Sequence, residues 1–156
     1  MEFGQLKKNL KKDYSGFKKI KVSLLSDSAS QLLVQAIRGS GYNYSYDLDI
    51  FEADFNQIDR QIMDHSSELY EHDAEITIIY ESSHKLLNKF NKLSPGEKKN
   101  FAQNQINHLD ILLKTLTARQ KTKVVYLNMA EIDDAVFGNY GNKVASSFIF
   151  QQRKFN

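Results

Sequence analysis

Two short apolar runs rich in β-branched residues limit what this chain can become: Glu75–Tyr80, read as Glu-Ile-Thr-Ile-Ile-Tyr, and Lys123–Leu127, read as Lys-Val-Val-Tyr-Leu. Neither shows the apolar–polar alternation of a strand with one wet face. Runs of this kind suit strands covered on both faces, as in a parallel sheet. Ile20–Leu25 and Tyr46–Phe51 supply two more strand candidates. Strands that alternate with helices imply right-handed crossovers and a parallel sheet, so the expected class is α/β.

Helical patterns fall between the strands. Ser30–Arg38 places Leu33, Ala36 and Ile37 on one side and is expected to end at Gly39, a good helix terminator. Phe55, Ile58 and Ile62 follow at helical spacing. Ser94-Pro95-Gly96-Glu97 is a helix start, with a capping Ser, a Pro suited to the first turn and a Glu that completes a capping box. The helix from there is expected to carry Phe101, Leu109, Leu112 and Leu116 to Arg119, spanning about 35 Å. Phe137–Asn142 is a turn-rich loop. Val144, Phe148 and Phe155 then recur at helical spacing, an apolar stripe expected to be exposed and to favour self-association or a partner.

The 156 residues suit one domain, and hydrophobic and charged shares of 41% and 26% are those of a globular protein. The chain has no Cys, which removes thiol nucleophiles, zinc–thiolate sites and iron–sulfur clusters together. It also fits a reducing compartment. No apolar run approaches the roughly 18 residues of a membrane span, and no secretory signal core stands at the amino terminus. The expectation is therefore a cytoplasmic protein without a membrane partner. Seven lysines fall within the first 21 residues, from Lys7 to Lys21. Residues 1–19 read as a short basic helix whose apolar side holds Phe3, Leu6 and Leu10, with residues 20–156 forming the main domain. No stacking pattern of arginine and aromatic residues accompanies the lysines, so a nucleic-acid partner is not expected.

Two constellations are candidates for chemistry. Ser26-Asp27-Ser28 follows the first strand and opens a helix, the usual ligand-binding edge of an open α/β sheet. Ser28 is the one candidate nucleophile, but it needs a base and oxyanion donors. Helix capping by Asp27 or Ser28 is the plainer reading. His65, Glu68 and His72 would share a face of one continuous helix, but Asp64 and the paired serines suggest a break there, and no metal site is expected. A Gly-rich phosphate loop is absent, so no nucleotide or other cofactor is expected.

Three tracts carry a resemblance to a family. They are Ser23–Gly39, Ile50–Glu71, which begins Ile-Phe-Glu-Ala-Asp-Phe-Asn-Gln-Ile-Asp, and Val136–Asn156, with Phe-Gly-Asn-Tyr and Gln-Gln-Arg-Lys-Phe-Asn. Together they cover most of residues 20–156 and resemble the amino-terminal domain of FkbH-like proteins. The resemblance implies an SGNH-like, flavodoxin-type three-layer sandwich, truncated relative to the family. In that family a HAD domain is thought to dephosphorylate a bisphosphoglycerate-type donor and to place the glyceryl group on an acyl-carrier protein. No Asp-x-Asp-x-Thr segment stands in this sequence, so that activity maps onto none of its residues. SGNH hydrolases open with Gly-Asp-Ser and close with Asp-x-x-His. Here Ser26 replaces the Gly and no Asp-x-x-His occurs.

The expected function is a non-catalytic binding and assembly module serving a HAD-type domain and an acyl-carrier protein. The alternative is an SGNH-type ester hydrolase acting through Ser28. The expected binding edge collects the residues after each strand: Asp27 and Ser28, then Asp54, Asn56 and Gln57, then Glu81, then Asn128. The loop through Asn139 and Tyr140 is expected to join them. Lys18, Lys19, Lys121 and Lys123 gather at the opposite edge and read as merely solvated.

Overall fold

The computed structural model describes residues 2–132 and 136–156. The chain divides into two compact units, 1–80 with 115–126, and 81–114 with 127–156.

The first unit holds the sheet. Its strands are β1 (Lys18–Ser26), β2 (Tyr46–Glu52), β3 (Ile76–Tyr80) and β4 (Lys123–Tyr126). They are all parallel, in the order β2-β1-β3-β4. That is the start of the flavodoxin-type order. Val22, Ser23, Leu24, Leu25 and Ser26 are all buried. Successive strand residues point to opposite faces, so β1 is covered above and below, as a three-layer sandwich requires. All four expected strands form, within two residues at each end.

Helix α1 (Phe3–Asn9) packs on helix α2 (Gln31–Tyr42), which follows β1 and packs on β2. The expected stop at Gly39 does not occur, because Gly39 serves packing instead. A Cβ there would stand 2.2 Å from the Leu6 carbonyl oxygen, so only glycine lets the two helix backbones meet. The fully buried Asn9 amide donates to Gly39 O at 2.9 Å and to Asn43 Oδ1 at 3.0 Å. Gly41 does the same against β2, where a Cβ would meet Leu48 at 2.9 Å.

Two short helices precede β3: α3 (Ile58–Met63) and α4 (Glu68–His72). The break between them falls where the serines stand. Asp64 Oδ1 accepts from Ser66 N at 2.9 Å and from Ser66 Oγ at 2.8 Å, a local turn that competes with helix. Ser67 Oγ donates to Gln61 O at 2.6 Å. α4 ends at Asp73, whose φ of 51° is left-handed.

The second unit begins with α5 (Ser83–Asn91), a helix that the sequence reading missed. It continues with α6 (Pro95–Lys98), a 3-10 turn at Gly138–Lys143 and α8 (Phe148–Phe155). Helix α7 (Phe101–Arg119) is divided, its residues to Lys114 counting here and its last turn with the sheet. The capping box at Ser94 forms as expected, with Ser94 N donating to Glu97 Oε2 at 2.9 Å. It opens only a four-residue helix. The single long helix expected from Pro95 to Arg119 is interrupted at Lys99–Asn100, leaving α7 about 28 Å long. The carbonyl of Lys99 accepts from the Gln151 side chain at 3.0 Å.

The core of this unit is Leu86, Phe90, Phe101, Met129 and Phe148, with Phe90 edge-on to both Phe101 and Phe148. The expectation of an exposed stripe through Val144, Phe148 and Phe155 is therefore corrected. Phe148 has no exposed surface, Phe155 is partly buried against the same cluster, and the stripe gives no ground for self-association. Helical spacing marks an apolar face, and the unit's own aromatic residues cover it.

Buried glutamines hold the irregular segments of this unit. Gln151 Oε1 accepts from Ala102 N at 2.8 Å, and its Nε2 donates to Lys99 O and to Ala145 O at 2.6 Å. Replacing Gln151 by Leu keeps volume but leaves the buried Ala102 N–H and two part-buried carbonyls, Lys99 O and Ala145 O, without their side-chain partner. We expect Gln151→Leu to lower unfolding stability by about 2–5 kcal/mol in urea titration, against under about 0.5 kcal/mol for the exposed control Gln103→Leu. Gly39→Ala is expected to release α1. Amide exchange should then show lost protection over residues 3–9 while β1 stays protected.

Candidate functional site

The turn after β1 is held by its own side chains. Ser26 Oγ accepts from Ser28 N at 3.0 Å and donates to Ser28 O at 2.9 Å. Ser28 Oγ donates to Asp27 Oδ1 at 2.8 Å. The candidate nucleophile thus has a neighbouring carboxylate, not an imidazole, as its hydrogen-bond acceptor. Asp27 is half-buried and Ser28 likewise.

The turn after β2 lies beside it. Ala53 N donates to Leu24 O at 3.0 Å, and Asn56 N donates to Ser26 O at 3.2 Å. Asn56 has a φ of 61°, a left-handed conformation that asparagine tolerates better than most residues. The two turns enclose a cleft of about 290 Å³, lined by Ser28–Gln31 and Glu52–Phe55. Ser28 and Asp54 line it. Asp27, Asn56 and Gln57 stand in the same two turns outside the lining, Gln57 as the amino-terminal cap position of α3.

Sequence reasoning passed over the pair at the centre of this cleft. Ser30 is 4% exposed, and its hydroxyl donates to Glu52 Oε1 at 2.6 Å. Ser30 occupies the amino-terminal cap position of α2, yet its side chain makes no cap bond to that helix. The Glu52 carboxylate therefore stands where the positive end of the helix dipole favours an anion. A second anion there meets both Glu52 and Asp54. The cleft instead presents acceptors, which suit a ligand that brings hydroxyl or N–H donors. The signal available in sequence was faint: a Glu closing the second strand and a Ser opening the first helix.

The remaining site residues belong to the second unit. Glu81 directly follows β3 and is half-buried, and Asn128 stands exposed two residues after β4. Asn139 and Tyr140 lie in the Gly138–Lys143 turn, both exposed, with Lys143 Nζ 5.7 Å from the Tyr140 ring centre.

The His65–Glu68–His72 spacing forms no metal face. His65 falls in the break before α4, and His72 Nε2 lies 3.3 Å from Asp49 O. Among the described residues no group of three His, Cys, Asp or Glu is placed to hold a metal ion. Glu68 has a structural partner instead. Gln61 Nε2 donates to Glu68 Oε2 at 2.7 Å while Gln61 Oε1 accepts from Leu69 N at 3.1 Å. The Gln61 hydrogen bond holds the Glu68 carboxyl below its ordinary value. Among the described residues no helix is long and apolar enough to cross a membrane.

The model of a family described as FkbH, N-terminal domain, matches residues 21–156. No curated protein matches the chain. Among solved structures, the chain is similar to the N-terminal part of the protein BF1531 from Bacteroides fragilis, a crystal structure containing a phosphatase domain and complexed with Mg. The TM-score is 0.89 at 37% identity, over 100% of this chain and 40% of that one. This chain therefore spans well under half the length of that relative.

The Gln61–Glu68 bond makes the start of α4 sensitive to acid. A carboxyl with a depressed folded pKa contributes stability above its unfolded value and loses it as pH falls through the folded value. The exchange protection of the Leu69 amide is thus expected to be flat above the ordinary glutamate value of 4.5 and to fall below it. Glu68→Gln should remove that pH dependence. A Leu69 amide whose protection follows the same acid profile in both proteins would sink this account.

Proposed function

The chain belongs to the FkbH N-terminal domain family, and on that premise we propose that it is a binding and assembly module that performs no chemistry by itself. It serves a HAD-type phosphatase domain or protein, and through it an acyl-carrier protein. The single observation that carries this reading is the turn at Ser26–Ser28. Its hydroxyls are used within the turn itself, with Ser28 Oγ given to the carboxylate next to it. An adjacent carboxylate gives Ser28 Oγ a hydrogen-bond acceptor but not the oriented imidazole on which serine nucleophiles rely.

Similarity over its whole length to part of a phosphatase-containing protein supports the partner assigned here. The cleft supports the kind of ligand. With Glu52 and Asp54 in its wall, it receives the hydroxyl groups of a glyceryl-type moiety or the N–H groups of a docked segment better than it receives a phosphate. Asp27, Ser28, Asp54, Asn56 and Gln57 form the binding edge of the first unit, while Glu81, Asn128, Asn139 and Tyr140 belong to the second unit.

Two measurements test the reading together. Hydrolysis of p-nitrophenyl acetate by the wild-type chain and by Ser28→Ala should be indistinguishable. Turnover that vanishes in Ser28→Ala would establish the ester-hydrolase alternative and end this proposal. Calorimetric titration with a HAD-type phosphatase domain, with and without an acyl-carrier protein, should detect binding that Asp54→Ala weakens at least about fivefold, the scale of about 1 kcal/mol for one surface hydrogen bond. Unfolding midpoints of the variants should stay near wild type, because Asp54 is exposed.

A further inference from the structure

The opposite, amino-terminal edge of the sheet carries a cleft of about 440 Å³ within the first unit. Ile20 and Ile76 form its apolar floor, and Lys18, Lys121, Lys123 and Glu75 stand around it. Strand register shows how charge is distributed there. Lys19 lies beside Asp47 and Lys21 beside Asp49, and Lys21 Nζ also donates to His72 O at 3.1 Å. Those lysines share one face with carboxylates. Lys18 and Ile20 occupy the other face, where Lys18 lies beside Tyr46, and Lys123 lies beside Ile76. Among the described residues no ion pair involves Lys18, Lys121 or Lys123.

The same face is covered unevenly. Over β2, helix α2 comes close enough that a Cβ on Gly41 would touch Leu48, the register neighbour of Ile20. Over β4, Val125 remains 43% exposed. The span from β1 to β4 is two interstrand steps, about 10 Å, which is the width of an α-helix. Among the described residues β4 is also an end strand, hydrogen-bonded to β3 alone.

We propose that this strip docks an acidic amphipathic helix from a protein partner. Leu-type side chains would cover Ile20, Ile76 and Val125, and carboxylates would meet Lys18, Lys121 and Lys123. Apolar contact supplies most of the affinity, because exposed lysine–carboxylate pairs are individually weak. The lysines set the sign of the partner and make binding fall as salt rises. This surface lies at the far edge of the sheet from the Ser28–Phe55 cleft and does not depend on what that cleft binds.

The probe is a fluorescein-labelled helical peptide of Leu, Ala and Glu with all its leucines on one face, beside a version with Gln in place of every Glu. Fluorescence anisotropy is read at ionic strengths of about 0.02 and 0.15 M. The expected result is binding that weakens at least tenfold for Lys18→Glu/Lys123→Glu and at least tenfold for the Gln peptide. Amide resonances of Ile20, Ile76 and Thr122 should shift on addition of the peptide. Lys7→Glu/Lys8→Glu, on α1, should bind as wild type does. Should the double variant fold poorly, the Gln peptide still decides the matter on the wild-type protein. Equal binding of both peptides overturns the proposal, as do shifts confined to residues 3–12. Shifts at the strip with inorganic phosphate alone, without peptide binding, would make it a small-anion site. Light scattering that shows a dimer broken by Lys18→Glu/Lys123→Glu would make the occupant a second copy of the chain. Either of those outcomes also overturns the proposal.

Discussion

Strand β1 is hydrogen-bonded on both edges and buried on both faces from Val22 to Ser26. Much of the first unit answers that one constraint. A strand closed in on four sides has no room for a charge, so its lysines are confined to the amino-terminal portion, Lys18 to Lys21, and its polar residues within the core are small. Ser23 is fully buried, and its hydroxyl has no partner among the described residues. The strand can end in polar sequence only where it leaves the sheet. There Ser26, Asp27 and Ser28 bond one another, and the first crossover helix begins. The position of the cleft follows from where the burial of β1 stops.

Buried carboxamides carry much of the remaining specificity. Asn9 joins α1 to α2, Gln61 joins α3 to α4, and Gln120 Nε2 donates to Ala74 O just before β3. In the second unit Gln151 and Gln152 tie backbone groups of irregular segments, Gln152 through Ile132 N and Ala130 O. These segments run as turns and short helices, so many backbone groups lack the regular partners of a long helix or sheet. An amide side chain offers both a donor and an acceptor in one plane and can complete two such groups at once. The cost of losing one is greatest where the backbone group left behind is shielded from water, as Ala102 N is beside Gln151 and Leu69 N beside Gln61.

The two edges of the sheet differ in chemistry for a topological reason. All strands are parallel, so one edge collects strand beginnings and the other strand ends. Strand ends here turn through serine and acidic residues into helix starts, where carboxylates complement the helix dipole. Two of the strands, β1 and β4, begin in lysine-rich sequence at Lys18–Lys21 and Lys121–Lys123. The result is an acidic, hydrogen-bond-accepting cleft at one edge and a basic, apolar-floored cleft at the other. A sequence reading that treated the lysines as merely solvated saw their charge but not the isoleucines that lie beneath them.

The sequence alone determined what depends on neighbours within a few residues. Unbroken β-branched runs required strands covered on both faces, the alternation with helices required parallel pairing, and Ser94–Glu97 required a capping box. The break at Asp64–Ser67 was legible for the same reason, since the side-chain bonds that cause it span two to six residues. The residues after β1 and β2 were legible as one edge because parallel topology places them there. Contacts across the chain decided the rest. Gly39 reads as a helix stop by its local propensity, but a helix 30 residues away needs the space its missing side chain leaves. The helix after Pro95 reads as continuous, yet it breaks where Gln151, 52 residues on, takes the Lys99 carbonyl. Phe148 reads as part of an open stripe until Leu86, Phe90 and Phe101 close over it. Ser30 reads only as the start of a helix, and the pairing of β1 with β2 brings Glu52 to accept from its hydroxyl. A local pattern specifies which face of an element is apolar and where it can start; which partner meets that face is a matter of distant residues, and their approach leaves no periodic trace in the sequence.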